Sequence, residues 1–129
     1  MTSINKEPLI LNTDNEVGVV SGYNAAVCAA GKNQIAAATG AYCVATTIKE
    51  GSLAVVTGEH GVVTALKENS LVIGWGGTTK VKGVLNSFIA AAELTPEGDL
   101  NIQLRKVDGV SIMPDTWYSL INGELRKIE

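Results

Sequence analysis

The feature that most constrains this chain of 129 residues is a nine-residue phrase that recurs without a gap from about residue 13 to residue 84. Each phrase opens on glycine or lysine, which two polar or small residues follow, and the last five of its nine residues are drawn mostly from Val, Ile, Leu, Ala and Thr. This pattern predicts a turn followed by a short strand. A fixed short period is typical of solenoid proteins, in which each repeat packs on its neighbours. The opening positions are Gly22, Gly31, Gly40, Lys49, Gly58, Lys67 and Gly76.

Alternate phrases differ from each other, so the true repeat is 18 residues long. The last position of the phrase falls into two alternating sets, Ser21, Thr39, Thr57 and Trp75, and Ala30, Ile48, Leu66 and Val84. Two turn-and-strand units per coil predict an all-β fold, a parallel β-roll or β-solenoid whose two sheets face each other. No helical period is present, and glycine recurs too often for a helix. At the coil corners we expect positive φ angles, which glycine adopts without strain and asparagine tolerates, as at Asn24, Asn33 and Asn69.

In one set of phrases, the pattern of large and small residues suggests which side chains fill the interior. Its fifth and seventh positions are bulkier, and we interpret them as pointing inward: Val17, Val19, Ile35, Ala37, Leu53, Val55, Leu71 and Ile73. Because strand side chains alternate, the residues between them then form a small, flat, apolar outer face. We expect this face to hold a homodimer or homotrimer together through Ala36, Ala38, Ala54, Val56 and Val72. The opposite parity would place larger side chains outside and strengthen the same expectation. Alternatively, the C-terminal segment folds back over the face.

After residue 84 the phrase breaks, and residues 85–129 follow a different pattern. Residues 87–94 are an apolar run too short to indicate a helix, and residues 95–99 predict a turn between two strands. Residues 100–107 then alternate between apolar and polar side chains. Tight turns are expected at Asp108-Gly109, Pro114-Asp115 and Asn122-Gly123. We therefore divide one compact domain into a β-solenoid over residues 1–84 and an antiparallel β-meander that caps it over residues 85–129.

Side chains able to carry chemistry are few. Cys28 and Cys43 are fifteen residues apart and fall on different columns of the coil, so we expect two free thiols. His60 is the single histidine and occupies a corner position where asparagine usually stands. The corners also lack the regularly placed aspartate that a calcium-binding β-roll requires. We expect no catalytic residue, no metal site, no cofactor and no enzymatic activity.

The net charge of −3, with Lys and Arg scattered along the chain, disfavours nucleic acid as a partner. The first twelve residues do not have the layout of a secretory signal, and no apolar run approaches 18 residues. We expect a soluble protein of the cytoplasm, the host cytoplasm if it is encoded by a phage, that does not bind membranes.

The C-terminal residues also carry a resemblance. The run KVDGVSIMPDTWYSLINGEL at residues 106–125, preceded by TKVKG at residues 79–83, resembles the ending of an uncharacterised family of small proteins from phages, prophages and gut bacteria. Members of that family carry nine-residue Gly/Asn/Ser/Ala phrases before this ending, whereas the phrases here are richer in Val, Leu and Ile. The resemblance covers roughly residue 22 onward and implies no activity. The run NSLVIG at residues 69–74 is similar to head repeats of trimeric autotransporter adhesins, which implies that such coils can associate sideways, although the repeat length there differs.

Two function hypotheses follow. The favoured one is a non-enzymatic structural or interaction protein, an oligomeric accessory protein of a phage or mobile element that presents its repeat corners or its cap to another protein. The alternative is a small-molecule or metabolite-binding protein whose pocket lies between protomers. The residues predicted to line that pocket are Trp75, Lys80, Lys82, Trp117 and Tyr118.

Overall fold

The computed structural model describes residues 8–76 and 78–128, and no helix occurs in that part of the chain. This confirms the prediction of an all-β fold. The strands in these residues are β1 (Leu9–Leu11), β2 (Val17–Ser21), β3 (Ala26–Ala29), β4 (Ile35–Thr39), β5 (Val44–Thr47), β6 (Leu53–Thr57), β7 (Val62–Ala65), β8 (Leu71–Trp75), β9 (Lys80–Gly83), β10 (Phe88–Leu94), β11 (Leu100–Lys106), β12 (Tyr118–Ile121) and β13 (Glu124–Lys127).

The strands form two sheets, and the chain passes from one to the other at every corner. The seven-stranded sheet has the order β1-β3-β5-β7-β9-β12-β13, and the six-stranded sheet has the order β11-β10-β8-β6-β4-β2. Strands β1 to β10 therefore make five coils of a parallel β-solenoid. The register between coils is 18 residues, since Ile35 pairs with Leu53 and Leu53 pairs with Leu71. The predicted repeat length and the predicted column of these three residues are both confirmed.

The corners use the backbone conformation that the phrase predicts. At one corner glycine and the residue two places later both have positive φ, for example Gly40 at 121° and Tyr42 at 61°. A Cβ atom added at Gly40 would collide with the carbonyl oxygen of Gly22, one coil earlier. Stacked corners thus require glycine for space as well as for φ. The predicted positive φ angles of the three corner asparagines are also found, at Asn24, Asn33 and Asn69.

The opposite corners carry a buried polar side chain from the second coil onward. In the second coil this is Gln34, whose Nε2 donates hydrogen bonds to the carbonyl oxygens of Leu11 (2.9 Å) and Thr13 (2.7 Å). Serine takes this place in later coils, as at Ser70, where the hydroxyl donates to the carbonyl oxygen of Lys67 at 2.6 Å. These side chains satisfy backbone groups that the turns leave inside the solenoid, where an unpaired carbonyl would be costly.

The predicted parity of the six-stranded sheet is wrong. The five residues expected at an outer interface are fully buried between the sheets: Ala36, Ala38, Ala54, Val56 and Val72. The physical reason is the narrow gap between the two sheets. A Cβ atom added at the inward-facing Gly18 would lie 2.5 Å from a Leu11 methyl carbon, and one added at Gly74 would lie 2.7 Å from Thr79 Oγ1. Gly, Ala and Val make up the inward rows of β2, β4, β6 and β8 and fit this gap. Larger aliphatic side chains enter the core at the two ends of the solenoid, at Leu11 and Ile89.

The C-terminal strands extend both sheets, first with a parallel strand and then with antiparallel strands. Strand β10 pairs in parallel with β8, with Phe88 opposite Leu71, so the parallel coils extend ten residues beyond the predicted boundary at residue 84. Paired residues of β8 and β10 are 17 residues apart instead of 18, so the last repeat is not recognisable from the period of the sequence. Strand β11 then pairs antiparallel to β10, and β12 pairs antiparallel to β9 and β13. The cap is antiparallel, as predicted.

Three of the four turns predicted in this part are found, including residues 95–99 between β10 and β11, and one is different. Asn122-Gly123 joins β12 to β13 with φ angles of 53° and 81°, and Pro114-Asp115 forms a turn with φ of 54° at Asp115. Asp108-Gly109 is not a hairpin turn. The Asp108 carboxylate instead accepts hydrogen bonds from the backbone N–H groups of Val110, Ser111 and Ile112, which directs the chain into a loop.

Candidate functional site

The six-stranded sheet exposes a continuous apolar surface, which we name the six-strand outer face. It follows from the alternation of the strands, because each inward Ala or Val places its larger neighbours outside. The cap lengthens the sheet and does not cover this surface: Val17 is 66% exposed, Leu94 63% and Leu104 57%. The exposed or half-buried apolar members of the face are Val17, Val19, Ile35, Ala37, Leu53, Val55, Leu71, Ile73, Trp75, Phe88, Leu94, Leu100, Ile102 and Leu104. Ala90 and Ala92 share their outward row on β10 but are buried.

Charge is nearly missing from this face. The outward positions of β2, β4, β6, β8 and β10 carry no Asp, Glu, Lys or Arg, and the single charged side chain on the outward row of β11 is Lys106. A large contiguous apolar patch on the surface of a protein usually marks a site that binds a partner. The face is therefore the strongest candidate functional site in the described part of the chain.

The face is not featureless along its strands. Near the strand starts it contains an open groove of about 420 Å³, whose apolar walls are Leu53, Leu71, Phe88 and Leu104. Corner residues, among them Asn69, form its rim. At the other end of β8 the indole of Trp75 is 41% exposed. The face thus has a depression at one end of its strands and a large aromatic side chain at the other.

The residues predicted to line a ligand pocket do not converge. Lys80 and Lys82 lie on the outer face of the seven-stranded sheet, with their Nζ atoms 5.6 and 4.4 Å from the ring centroid of Trp117. Trp75 belongs to the other sheet. Tyr118 is buried in the core, where its Oη accepts a hydrogen bond from the backbone N–H of Met113 at 2.8 Å. The structure therefore brings together three of the five residues.

The cluster of Lys80, Lys82 and Trp117 is occupied by contacts within the chain. Lys82 Nζ lies 3.3 Å from Asp115 Oδ1 as well as over the Trp117 ring. Cation–π and ion-pair contacts of this kind hold the segment before β12 against β9. We interpret the cluster as a clasp between the cap and the last coil.

An aromatic column on one corner was missed by the sequence analysis. The rings of Tyr23 and Tyr42 meet edge to face with centroids 5.5 Å apart, and those of Tyr42 and His60 stack at 4.9 Å. The sequence signal was available, since Tyr42 and His60 are 18 residues apart. The prediction that His60 is a corner residue is confirmed, and its backbone N–H donates to Thr78 Oγ1 at 2.8 Å.

The two cysteines are free, as predicted. Cys43 is buried in the interior, and its Sγ lies 3.1 Å from the carbonyl oxygen of Gly22. Cys28 is half-buried on the outer face of the seven-stranded sheet, and this burial raises the pKa of its thiol. The thiolate, which is the reactive form, is thereby disfavoured.

Within residues 8–76 and 78–128, no three His, Cys, Asp or Glu side chains are grouped in a way that could hold a metal ion. The same residues contain no helix long and apolar enough to cross a membrane.

The fold defines the class of protein to which the chain belongs, a parallel β-solenoid with an antiparallel cap. Comparisons with family models, with curated proteins and with solved structures find no match to this chain. The functional argument therefore depends on the surfaces described above.

Proposed function

We propose that this chain is a non-enzymatic structural or interaction protein that acts as a homo-oligomer, assembled through the six-strand outer face. The observation that carries the proposal is the uncovered apolar surface across all six strands, from Val17 on β2 to Leu104 on β11. The correction of the parity favours this proposal, because side chains of Val, Leu, Ile and Trp replace the smaller ones expected there.

The size of the face supports stable association. Six strands at about 4.8 Å and five residues at about 3.3 Å give roughly 500 Å² per chain, or about 1,000 Å² for two chains. That total reaches the ~1,000 Å² expected of a biological interface. At about 25 cal/mol per Å² its burial contributes about 25 kcal/mol. Association costs about 4–15 kcal/mol, so a surplus remains.

The biological setting that we propose is that of an accessory protein of a phage or mobile element. The support for it is the resemblance of residues 79–83 and 106–125 to the ending found in phage, prophage and gut-bacterial proteins. We place the protein in the cytoplasm, since two free thiols suit a reducing compartment.

The test compares three variants that each add one glutamate. Val55→Glu places the charge in the middle of the six-strand outer face, and Thr64→Glu places it at a half-buried outward position of the other sheet. Ala54→Glu places it in the interior, where Ala54 is fully buried. Light scattering should give an oligomer for the wild type and Thr64→Glu, and a folded monomer for Val55→Glu. Far-UV circular dichroism should show that Ala54→Glu does not fold, because an unpaired charge is buried.

A wild-type protein that is monomeric at micromolar concentration would refute the proposal. An oligomer that persists in Val55→Glu would also refute it, since the contact would then lie elsewhere on the molecule.

A further inference from the structure

We propose that the oligomer is a two-fold symmetric dimer in which Trp75 of each chain enters the groove on the six-strand outer face of the other chain. This inference rests on the proposed function, because it names the occupant of the same face and the way that it docks. The occupant is a second copy of this chain.

The groove and the tryptophan lie on one face and at opposite ends of one strand. Leu71 is the first residue of β8 and lines the groove, whereas Trp75 is the last residue of β8 and projects from the face. Four residue steps separate them, which is about 13 Å along a strand. Each chain therefore has both the groove and the tryptophan that could fill it. The two meet when a second chain packs on the first with its strands running in the opposite direction.

Two-fold symmetry supplies that rotation. When two flat faces pack on each other, the two-fold axis lies in the plane between them. If the axis follows the direction in which the coils stack, each strand lies over its own counterpart and runs in the opposite direction. Ile73, the middle residue of β8, then faces Ile73 of the other chain, and Trp75 faces Leu71. The contact between Trp75 and the groove is made twice.

The chemistry of the groove suits an indole. Its volume of about 420 Å³ falls in the range of about 300–1,000 Å³ that is typical of pockets that bind organic molecules. Leu53, Leu71 and Phe88 offer apolar walls, and Asn69 at the rim offers an amide oxygen within the same lining. A buried tryptophan needs such an acceptor for its N–H group.

The distribution of charge favours a second copy over a charged partner. The outward rows of β2, β4, β6, β8 and β10 have no charged side chain with which to select an acidic or basic surface. They also have none that would be buried unpaired when the same face of another copy covers them. Lys106 lies on the outward row of β11, at the end of the sheet, where it reaches solvent beside the interface.

The first test uses the two tryptophans of the chain as a matched pair. Trp75→Ala should weaken dimerisation at least about 30-fold in sedimentation equilibrium, as expected for a central tryptophan at an interface. Trp117→Ala, which removes the clasp on the other sheet, should leave the dimerisation constant within about 3-fold of the wild type. Thermal unfolding of both variants shows whether each remains folded.

The second test does not depend on removing Trp75. Ile73→Cys places a thiol on the two-fold axis, so a short bismaleimide should link two chains into a covalent dimer. The control, Thr64→Cys, carries its thiol on the seven-stranded sheet and should remain monomeric in denaturing gels, as should the wild type with its own two cysteines.

The outcomes separate this inference from the proposed function. A wild-type dimer that Trp75→Ala leaves intact, or one in which Ile73→Cys does not cross-link, overturns the docking mode while the six-strand outer face remains the interface. A trimer also overturns it. A wild-type protein that is monomeric would refute both the docking mode and the proposed function.

Discussion

Replacing Gln34 with leucine should destabilise the solenoid from a single corner. Gln34 is 1% exposed and uses both ends of its amide. Its Nε2 donates to the carbonyl oxygens of Leu11 and Thr13, and its Oε1 accepts from the backbone N–H of Gly31 at 2.8 Å. Leucine is close to glutamine in size, so the substitution removes three hydrogen bonds without opening a large cavity.

The magnitude follows from what is left unpaired. The N–H of Gly31 is buried and loses its acceptor, which costs about 1–3 kcal/mol. The carbonyl of Leu11 keeps the hydrogen bond that the backbone N–H of Ala30 donates to it at 3.0 Å, so it loses one of two bonds, worth about 1 kcal/mol. The bond to Thr13 is partly buried and water can replace it. The apolar surface of leucine offsets about 1 kcal/mol of this. We expect the free energy of unfolding to fall by about 1–3 kcal/mol.

The measurement is urea unfolding followed by far-UV circular dichroism. It should be made in the Val55→Glu background, which we expect to be monomeric, so that the free energy of unfolding does not depend on protein concentration. The control is Gln103→Leu, which alters the other glutamine of the chain, a half-exposed one that accepts from Arg105 Nη2 at 2.7 Å. Its effect should be under about 0.5 kcal/mol. If Gln34→Leu is as stable as its parent, the buried amide is not a net source of stability and the reasoning fails.

Two further predictions concern acid stability and the thiols. Backbone hydrogen bonds from Val110 and Ile112 hold the pKa of Asp108 below its ordinary value. The stability from this carboxylate is therefore present at neutral pH and is lost as the pH falls below about 4, through the depressed pKa of the folded state. Asp108→Ala should lower stability more at pH 7 than at pH 2, and an equal loss at both would contradict the electrostatic account. Cys28 and Cys43 should both be alkylated when the protein is denatured without reductant; a mass showing two unmodified sulfurs would mean a disulfide, against the structure.

The sequence was sufficient to predict the winding of the chain because the repeat encodes it directly. Ile35, Leu53 and Leu71 recur at the period of the coil, and they stack at that period. The boundary at residue 84 was misplaced for a related reason. Phe88 pairs with Leu71 at a separation of 17 residues, so the last coil does not show the 18-residue period by which the other coils are recognised in the sequence.

The direction of the side chains could not be read from the repeat. Both rows of β2, β4, β6 and β8 are largely apolar, so alternation alone gives two equally consistent solutions. The choice depends on the space between the sheets, which in the middle coils admits Gly, Ala and Val. The sequence therefore indicated which sheet carries an apolar outer face, but it named the inward row of side chains as the outer one.

Within one chain the residues predicted to line the ligand pocket are not all brought together, because a corner of the solenoid separates two of them. Trp75 and Lys80 are close in sequence, and the sequence analysis placed them in one pocket. The corner between them sends Trp75 to the six-stranded sheet and Lys80 to the seven-stranded sheet. Neighbours in sequence on either side of a corner end on opposite faces of the solenoid, which short-range reasoning does not take into account.

The 18-residue register also has a consequence for the order of folding. Each new coil must close a loop of the same length, so the repeats themselves contain no preferred starting point. The hairpin of β10 and β11 differs, since the turn that joins them is closed by hydrogen bonds between Thr95 and Asp99. Closing this short loop costs about 1 kcal/mol less chain entropy than closing a coil. The hairpin also presents β10 as a template for β8, so we expect the solenoid to assemble from its C-terminal end, although this end is synthesised after the other coils.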